Sequence, residues 1–276
     1  MPEVTVNTSP WQQASLQFPD PALAEQIAGT HLWPILTEAE ADQLINAWFI
    51  IRKGHQWRLR YLPTLPRDIH TNQVRDRLDD LRLQGHLANV TAVIYEPETT
   101  AFGGPRAMRL AHRLWHLDSR HLLPRTATQP RRTRELSILL CTAMMRAAGL
   151  DWYEQGDVWA RVADHRNLAD PSHLDALRDA VQQLLTVDPA SLTHTGEAPL
   201  AEQRTWLDAF TTTGAALRRI HDSGQLRRGL RDVLTHHVIF MWNRRGIPEH
   251  EQAALAATAR DITFGSHTAL TATAAG

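Results

Sequence analysis

The sequence is poor in two reactive side chains: among its 276 residues, Cys141 is the only cysteine and Lys53 the only lysine. A single thiol excludes an intrachain disulfide and a thiolate metal cluster, and a single lysine restricts Schiff-base chemistry to Lys53. The sequence also lacks an apolar run of membrane-spanning length and an N-terminal basic segment followed by an apolar stretch. We therefore expect a cytoplasmic protein with no membrane partner.

An excess of positive charge is missing as well, because the formal net charge at pH 7 is −1. A protein whose main partner is nucleic acid needs a concentrated positive field, so we expect no nucleic-acid partner. Hydrophobic residues make up 43% and charged residues 21% of the chain, which is typical of a globular protein with a sizeable core. We expect residues 1–276 to form one structural unit.

The motifs of several common enzyme classes are absent. The chain has no Walker loop and no GxGxxG, HExxH or GxSxG sequence. His112 and His116 have the i, i+4 spacing that could place two metal ligands on one helix face, but the glutamate of an HExxH motif is missing. We interpret both as ordinary surface or hydrogen-bonding histidines, and we expect neither a metal nor an organic cofactor.

Hydrophobic periodicity predicts an α+β protein with a sheet in its N-terminal half. The predicted elements are, in order, a strand at 31–36, a helix from a capping box at Thr37 to about residue 47, strands at 48–52 and 56–62, a helix at 71–84 and a strand at 90–95. This order is the ferredoxin-like split β-α-β pattern. From Gly103 onward the pattern is helical, so we expect a sheet-containing part at 31–100 and a mainly helical part at 103–264.

The strand at 56–62 has two chemically different faces. Trp57, Leu59 and Tyr61 alternate with Arg58 and Arg60, and alternate residues of a strand point to opposite sides of the sheet. If helices cover only the apolar side, the two arginines line an open face. There they could anchor peptide carbonyls or a carboxylate.

The segment after the last predicted strand contains the residue types of a site. Glu96 and Glu98 flank a proline and could face a cleft near the arginines, although a salt-bridge network explains them equally well. Gly103 and Gly104 precede a helix. Such a pair can bind an anion through free amides at the helix start, or it can simply form a tight turn that needs glycine.

Four segments, taken together, resemble one protein family. They are WFIIRKGHQWRLRYL (48–62), YEPETTAFGGPRAMRLAHRLWHLDS (95–119), ELSILL with the later MRAAGLDWYEQGDVWARVADHR (135–166), and HHVIFMWNRRGI (236–247). Their counterparts occur in the C-terminal, SpaB-type domain of lantibiotic dehydratases and thiopeptide biosynthesis proteins. The resemblance extends from about Leu32 to Phe264.

This resemblance implies one of two reactions on a ribosomally made precursor peptide. In full-length dehydratases the domain expels glutamate from glutamylated Ser or Thr, and the chain is too short to hold the glutamylating half as well. Thiopeptide pyridine synthases instead join two dehydroalanines by a formal [4+2] aza-cycloaddition and release water and the leader peptide. Neither reaction implies a cofactor.

Departures from the pattern favour the cycloaddition. Eliminating members carry Arg-Tyr before the glycine pair, where this chain has Ala101 and Phe102. They also carry a histidine before the Asn-Arg pair, where this chain has Ile239 or Met241. Since elimination needs a base and a cationic group for the departing carboxylate, we favour a pyridine synthase. A glutamate eliminase and a non-catalytic peptide-binding subunit remain as alternatives.

A pyridine synthase needs one proton donor and one proton acceptor beside the reacting amide, together with a groove for the peptide. Our candidates for proton transfer are Tyr95, Glu96, His116 and Ser119. Our candidates for substrate binding are Arg58, Arg60, Glu98, Phe102, Gly103, Gly104, Trp242, Asn243 and Arg244. Asp118 is expected to cap its helix or orient His116. The expected partner is the precursor peptide, with its leader and modified core; the oligomeric state is left open, with a homodimer among the options.

Overall fold

The computed structural model describes residues 9–53, 56–65, 70–125, 133–166, 174–192 and 200–265. In these ranges the strands are β1 (Gln12–Gln17), β2 (Ile45–Lys53), β3 (Gln56–Pro63) and β4 (Asn89–Val93). The α-helices are α1 (Ala24–Ile27), α2 (Trp33–Ala41), α3 (His70–Leu83), α4 (Pro105–Leu122), α5 (Thr133–Ala147), α6 (Trp152–Asp164), α7 (Leu174–Thr186), α8 (Arg204–Asp222), α9 (Leu230–Arg245) and α10 (Glu249–Phe264). The predicted α+β class is confirmed.

The four strands form an antiparallel sheet in the order β2-β3-β1-β4. Helices α1 and α2 connect β1 to β2, and α3 connects β3 to β4. This order and connectivity are those of the ferredoxin-like split β-α-β arrangement. Within the described ranges no helix is both long and apolar enough to cross a membrane.

The first strand lies earlier in the chain than predicted. Residues 31–36 are helical, because a π-helical turn (Ala28–Leu32) leads directly into α2. The buried residues Leu32, Leu36 and Ala39 recur at helical spacing. Thr37 lies inside the helix, and its hydroxyl donates to the Trp33 carbonyl at 3.1 Å, so the predicted capping box is wrong. The prediction missed β1 because long-range pairing with β3 and β4 creates this strand.

The two faces of the sheet are covered differently. Trp57, Leu59 and Tyr61 pack with α2 and α3 in one core, which confirms the predicted apolar face of β3. On the opposite face, α4 packs over β2, where Phe49 contacts Trp115. This second face is therefore open only where β1, β3 and β4 lie beyond α4, and not over its whole area as the sequence suggests.

Candidate functional site

A row of four side chains crosses the second face of the sheet beside α4. Strand register places Phe49, Arg60, Gln13 and Val93 opposite one another in that order. Phe49 is buried under α4, whereas Val93 is exposed. Arg60 and Gln13 lie between them, so the row runs from the covered part of the face to its open part.

Tyr95, just beyond the end of β4, closes over Arg60. The guanidinium carbon of Arg60 lies 4.1 Å from the centre of the Tyr95 ring, and Nε of Arg60 donates to Oε1 of Gln13 at 2.7 Å. The phenol oxygen of Tyr95 lies 2.8 Å from Nε2 of His112, which projects from α4. The ring of Trp11 covers His112 with their centres 4.6 Å apart. We call Arg60, Tyr95 and His112 the tyrosine–histidine site.

Burial keeps the two proton-carrying groups of this site neutral. Loss of solvation raises the pKa of Tyr95, and the neighbouring Arg60 cation offsets only part of this effect. Burial, with a smaller contribution from Arg60, lowers the pKa of His112 to about 4. A neutral phenol and a neutral imidazole therefore face each other near pH 7, with one proton between them.

Arg60 supplies the positive charge of the site, and one of its N–H groups is free to donate a hydrogen bond to a ligand. Its side chain is 3% exposed, and burial lowers its pKa, although Tyr95 and Glu98 act in the opposite direction. Its Nη1 is buried without a hydrogen-bond partner among the described residues. A buried donor of this kind favours a ligand that brings an acceptor.

The other charged residues predicted near this face are more exposed. Arg58 is half-buried on the same side of β3 as Arg60. Glu98 is exposed but close enough to Arg60 and Tyr95 to influence the pKa of both. Glu96 is also exposed. The structure thus brings Glu98 and Tyr95 close to Arg60, with Arg58 one row further along the same side of β3.

His116 and Ser119, two of the residues predicted to transfer protons, bind the backbone of β2 instead of joining this group. Nδ1 of His116 lies 3.2 Å from the Trp48 nitrogen and 3.0 Å from its carbonyl oxygen. The Ile50 amide donates to Oγ of Ser119 at 3.3 Å. Because β2 is an edge strand, these contacts satisfy backbone groups that no neighbouring strand reaches.

The glycine pair is shaped by close packing. Gly103 and Gly104 have φ angles of +83° and +107°, which favour glycine. A Cβ atom on Gly103 would lie 2.6 Å from Cδ1 of Leu226, so the turn also needs the missing side chain. The adjacent Phe102 is fully buried and packs edge-on against Trp115, with ring centres 4.9 Å apart.

Asp118 is the centre of a buried ion cluster, so the prediction that it caps a helix or orients His116 is wrong. Its carboxylate accepts hydrogen bonds from Arg244 at 2.9 Å, Arg245 at 3.0 Å and the Trp206 indole at 2.7 Å. Burial by itself would raise the pKa of Asp118, but the two arginines outweigh it and lower the pKa to about 2. The cluster joins α4 to α8 and α9. A direct contact between Arg244 and a peptide would require this cluster to open.

Trp242 and Asn243 also lie away from the tyrosine–histidine site. Trp242 is fully buried in the helical core and donates to Oγ of Ser137 at 2.9 Å. Asn243 is half-buried, accepts from Gln252 at 3.1 Å, and lines a separate cleft of about 590 Å³ beside Arg52. Trp242 is therefore not exposed to a ligand, and Asn243 belongs to a different surface from the one around Tyr95.

Sequence reasoning left His112 out of the site, although its spacing contained a signal. Met108 and Trp115 belong to the apolar stripe of α4, and His112 follows the first by four residues and precedes the second by three. Residues at these spacings share a helix face, which places His112 in the same buried layer. Among the described residues no three His, Cys, Asp or Glu side chains converge on a possible metal position.

Comparisons with known proteins place the chain in a family. The family model described as lantibiotic biosynthesis dehydratase C-term matches residues 11–263. No curated protein matches the sequence. Among solved structures, the chain is similar to the tRNA-dependent lantibiotic dehydratase MibB from Microbispora sp. 107891, with 17% identity and a TM-score of 0.66. That match covers 97% of this chain but 29% of MibB, so the chain spans less than a third of that protein.

Two shorter proteins match over nearly their whole length. TsrL has 16% identity and a TM-score of 0.63, with 92% of this chain and 95% of TsrL covered. The pyridine synthase TbtD from thiomuracin biosynthesis has 15% identity and a TM-score of 0.59, with 93% of this chain and 98% of TbtD covered. At these identities the structural matches show a shared fold. The family match over residues 11–263 goes further: the chain belongs to the lantibiotic biosynthesis dehydratase C-terminal family.

Proposed function

We propose that the protein is a pyridine synthase, which joins two dehydroalanines of a ribosomally made precursor peptide by a formal [4+2] aza-cycloaddition. The observation that carries this proposal is the neutral Tyr95–His112 pair, buried beside the cation of Arg60. Water and the leader peptide leave as the six-membered ring becomes aromatic.

The reaction needs an amide in its imidic acid form, in which the proton has moved from nitrogen to oxygen. Tyr95 can give its proton to the carbonyl oxygen, and Nε2 of His112, released from the phenol, can take the proton of the amide nitrogen. The proton then returns from the imidazolium to the phenolate 2.8 Å away, so both residues end as they began. The unpartnered Nη1 of Arg60 is placed to stabilise negative charge on the substrate oxygen or on the phenolate.

The surroundings of Phe102 support the same reaction. The position at which eliminating members carry a tyrosine is occupied here by a fully buried phenylalanine, and Ala101 has no cation to offer a departing carboxylate. The near-complete coverage of the pyridine synthase TbtD is consistent with this assignment.

One observation favours glutamate elimination as a second candidate. Ala101 stands where eliminating members carry an arginine. The guanidinium of Arg228 lies beside it, with Nη1 3.4 Å from the Ala101 carbonyl oxygen. His236 is half-buried nearby, and the charge of Arg228 contributes to lowering its pKa, after the larger effect of burial. These two residues could supply the cation and the base that elimination needs.

Mass spectrometry with two substrates separates the candidates. One substrate is a thiazole-bearing linear peptide with two dehydroalanines attached to its leader, and the other is a precursor glutamylated on serine. We expect free leader peptide and a pyridine macrocycle from the first, and no change in the second. Loss of glutamate from the second with the first untouched would establish elimination instead. Binding of both without turnover would leave a peptide-binding subunit.

A further inference from the structure

We propose that the groove between α4 and α8 binds an acidic, amphipathic helix in the leader segment of the precursor peptide. The groove is shallow and open to solvent, with a volume of about 420 Å³. Its floor is apolar and half-buried, formed by Leu110 from α4 and by Ala216 and Ile220 from α8. The inference takes the identity of the peptide from the proposed function, but its own basis is the charge and shape of the groove.

The rim of the groove is positively charged, and no acid of the described chain balances it. Arg106 and Arg109 from α4 and Arg219 from α8 line it, and all three are exposed. None of them forms an ion pair with another described residue; Arg106 donates to Gln225, and Nε of Arg219 to the Ala215 carbonyl at 3.4 Å. Three cations around an apolar floor match a ligand with apolar residues between carboxylates.

Helix α4 differs here from the other arginine-rich helices of the protein. On α8 itself, Arg218 pairs with Asp222 at i, i+4, and on α6 Arg161 pairs with Asp157 in the same way. Helix α4 carries four arginines on its exposed face, and its only carboxylate is Asp118, which is fully buried. Arg120 pairs with Glu40 of α2 at 3.5 Å, whereas Arg106, Arg109 and Arg113 form no ion pair with a described residue. A solvated helix face usually mixes charges of both signs, so these three arginines favour a partner that supplies carboxylates.

The shape of the groove selects a helical segment. Two packed helices leave a shallow channel between them, and an amphipathic helix can lay apolar side chains at i, i+3, i+4 and i+7 into such a channel. Carboxylates on either side of that apolar stripe would then meet Arg109 on one wall and Arg219 on the other. The leader would thereby be held on the exposed side of α4, whereas His112 lies in the buried layer beneath it, leaving the modified core free to reach the tyrosine–histidine site.

The test measures leader binding with a charge-reversed variant and a matched control. Fluorescence anisotropy follows a fluorescein-labelled leader peptide on the full-length protein, on Arg109→Glu and on Arg204→Glu. Arg204 is an exposed arginine at the start of α8, outside the groove. We expect Arg109→Glu to raise the Kd at least about tenfold, because it replaces an attraction by a repulsion, and Arg204→Glu to leave the Kd unchanged. A leader with amides in place of its carboxylates should bind the unaltered protein as weakly as the native leader binds Arg109→Glu.

Three results would overturn the inference. They are an unchanged Kd for Arg109→Glu, an amide leader that binds like the native one, and an Arg109-dependent affinity for phosphatidylserine vesicles or duplex DNA without any effect on the leader.

Failure of the proposed function can be distinguished from failure of this inference. If Arg109 controls leader binding but no pyridine forms, the groove is supported and the reaction is wrong. If pyridine forms and Arg109→Glu leaves the KM unchanged, the reaction stands and the groove is wrong.

Discussion

The phenol oxygen of Tyr95 and Nε2 of His112 lie 2.8 Å apart in a layer from which water is largely excluded. The pair joins the segment after an edge strand to the helix that covers the sheet. Because burial keeps each partner neutral, the contact is a hydrogen bond through which a proton can be exchanged at little electrostatic cost. The chemistry of the site depends on this contact.

Tyr95→Phe should separate proton transfer from packing. The variant keeps the aromatic ring in contact with the Arg60 guanidinium and removes only the hydroxyl. We therefore expect kcat for pyridine formation to fall about 10²- to 10⁴-fold, with little change in KM. Single-turnover mass spectrometry measures this, with Tyr153→Phe, at an exposed tyrosine, as the control. Full turnover in Tyr95→Phe would remove this residue from the mechanism.

The pH dependence should follow His112. Its pKa in the folded protein is about 4, below the ordinary value of 6.5, so the neutral form persists through the neutral range. We expect kcat to stay constant with respect to this group from about pH 8 to pH 5.5 and to fall as the pH drops through about 4.

Protein stability should respond to His112 over a different range. Between pH 6.5 and about 4 the unfolded chain binds a proton at this residue and the folded chain does not. Stability must therefore fall as the pH is lowered across that window. Urea denaturation at several pH values gives the free energy of unfolding as a function of pH. This free energy should change less steeply with pH in His112→Gln than in the unaltered protein. An equally steep change in both would contradict the buried neutral state of His112.

Asp118→Asn should be among the most destabilising single substitutions. It leaves Arg244 and Arg245 buried without their counter-charge, so we expect a loss of about 3–5 kcal/mol in the free energy of unfolding. Asp208→Asn, at an exposed position of α8, is the control and should change it by less than about 0.5 kcal/mol. In the unaltered protein the contribution of Asp118 is present above pH 3.8 and is lost as the pH falls towards about 2, because its folded pKa is depressed.

Gly103→Ala tests the turn before α4, with Gly85→Ala as the control at a glycine that has a similar φ angle but free space around it. Gly85 has a φ angle of +80°, and a Cβ at that position would meet nothing within 4 Å, whereas a Cβ on Gly103 would lie 2.6 Å from Leu226. Both alanine variants should lose about 1–2 kcal/mol from backbone strain. Gly103→Ala should lose a further 1–3 kcal/mol, roughly, from the clash. Equal decreases in melting temperature in the two variants would show that the Leu226 side chain moves to make room for the added methyl group.

Ser119→Ala distinguishes a structural role from a catalytic one. Loss of the hydroxyl leaves the Ile50 amide of edge strand β2 without its acceptor, which should lower the free energy of unfolding by about 1–3 kcal/mol. We expect kcat to be unchanged in the fraction that remains folded. A kcat loss of about a hundredfold with unchanged stability would instead support the sequence-based prediction that Ser119 transfers protons.

Local periodicity was sufficient for much of the fold. The alternation of Arg58 and Arg60 with apolar neighbours identifies the apolar face of β3, since strand side chains alternate whatever the surroundings. The change to helical spacing after Gly103 likewise depends only on neighbouring residues. The first strand was not found in this way: it lies at Gln12–Gln17 instead of the predicted 31–36, and only with β1 in that place is the order of elements that of the ferredoxin-like sheet.

Sequence by itself determined the class of the fold, the polar face of β3, the two glycines of the turn and the resemblance to a family. Only the tertiary structure decided that β1 is a strand, that Asp118 pairs with Arg244 rather than with a helix end, and that Tyr95 meets His112. The physical reason is distance along the chain. Propensity and periodicity act between residues a few positions apart, whereas these contacts join residues 17 to 126 positions apart in the sequence, and packing alone brings them together.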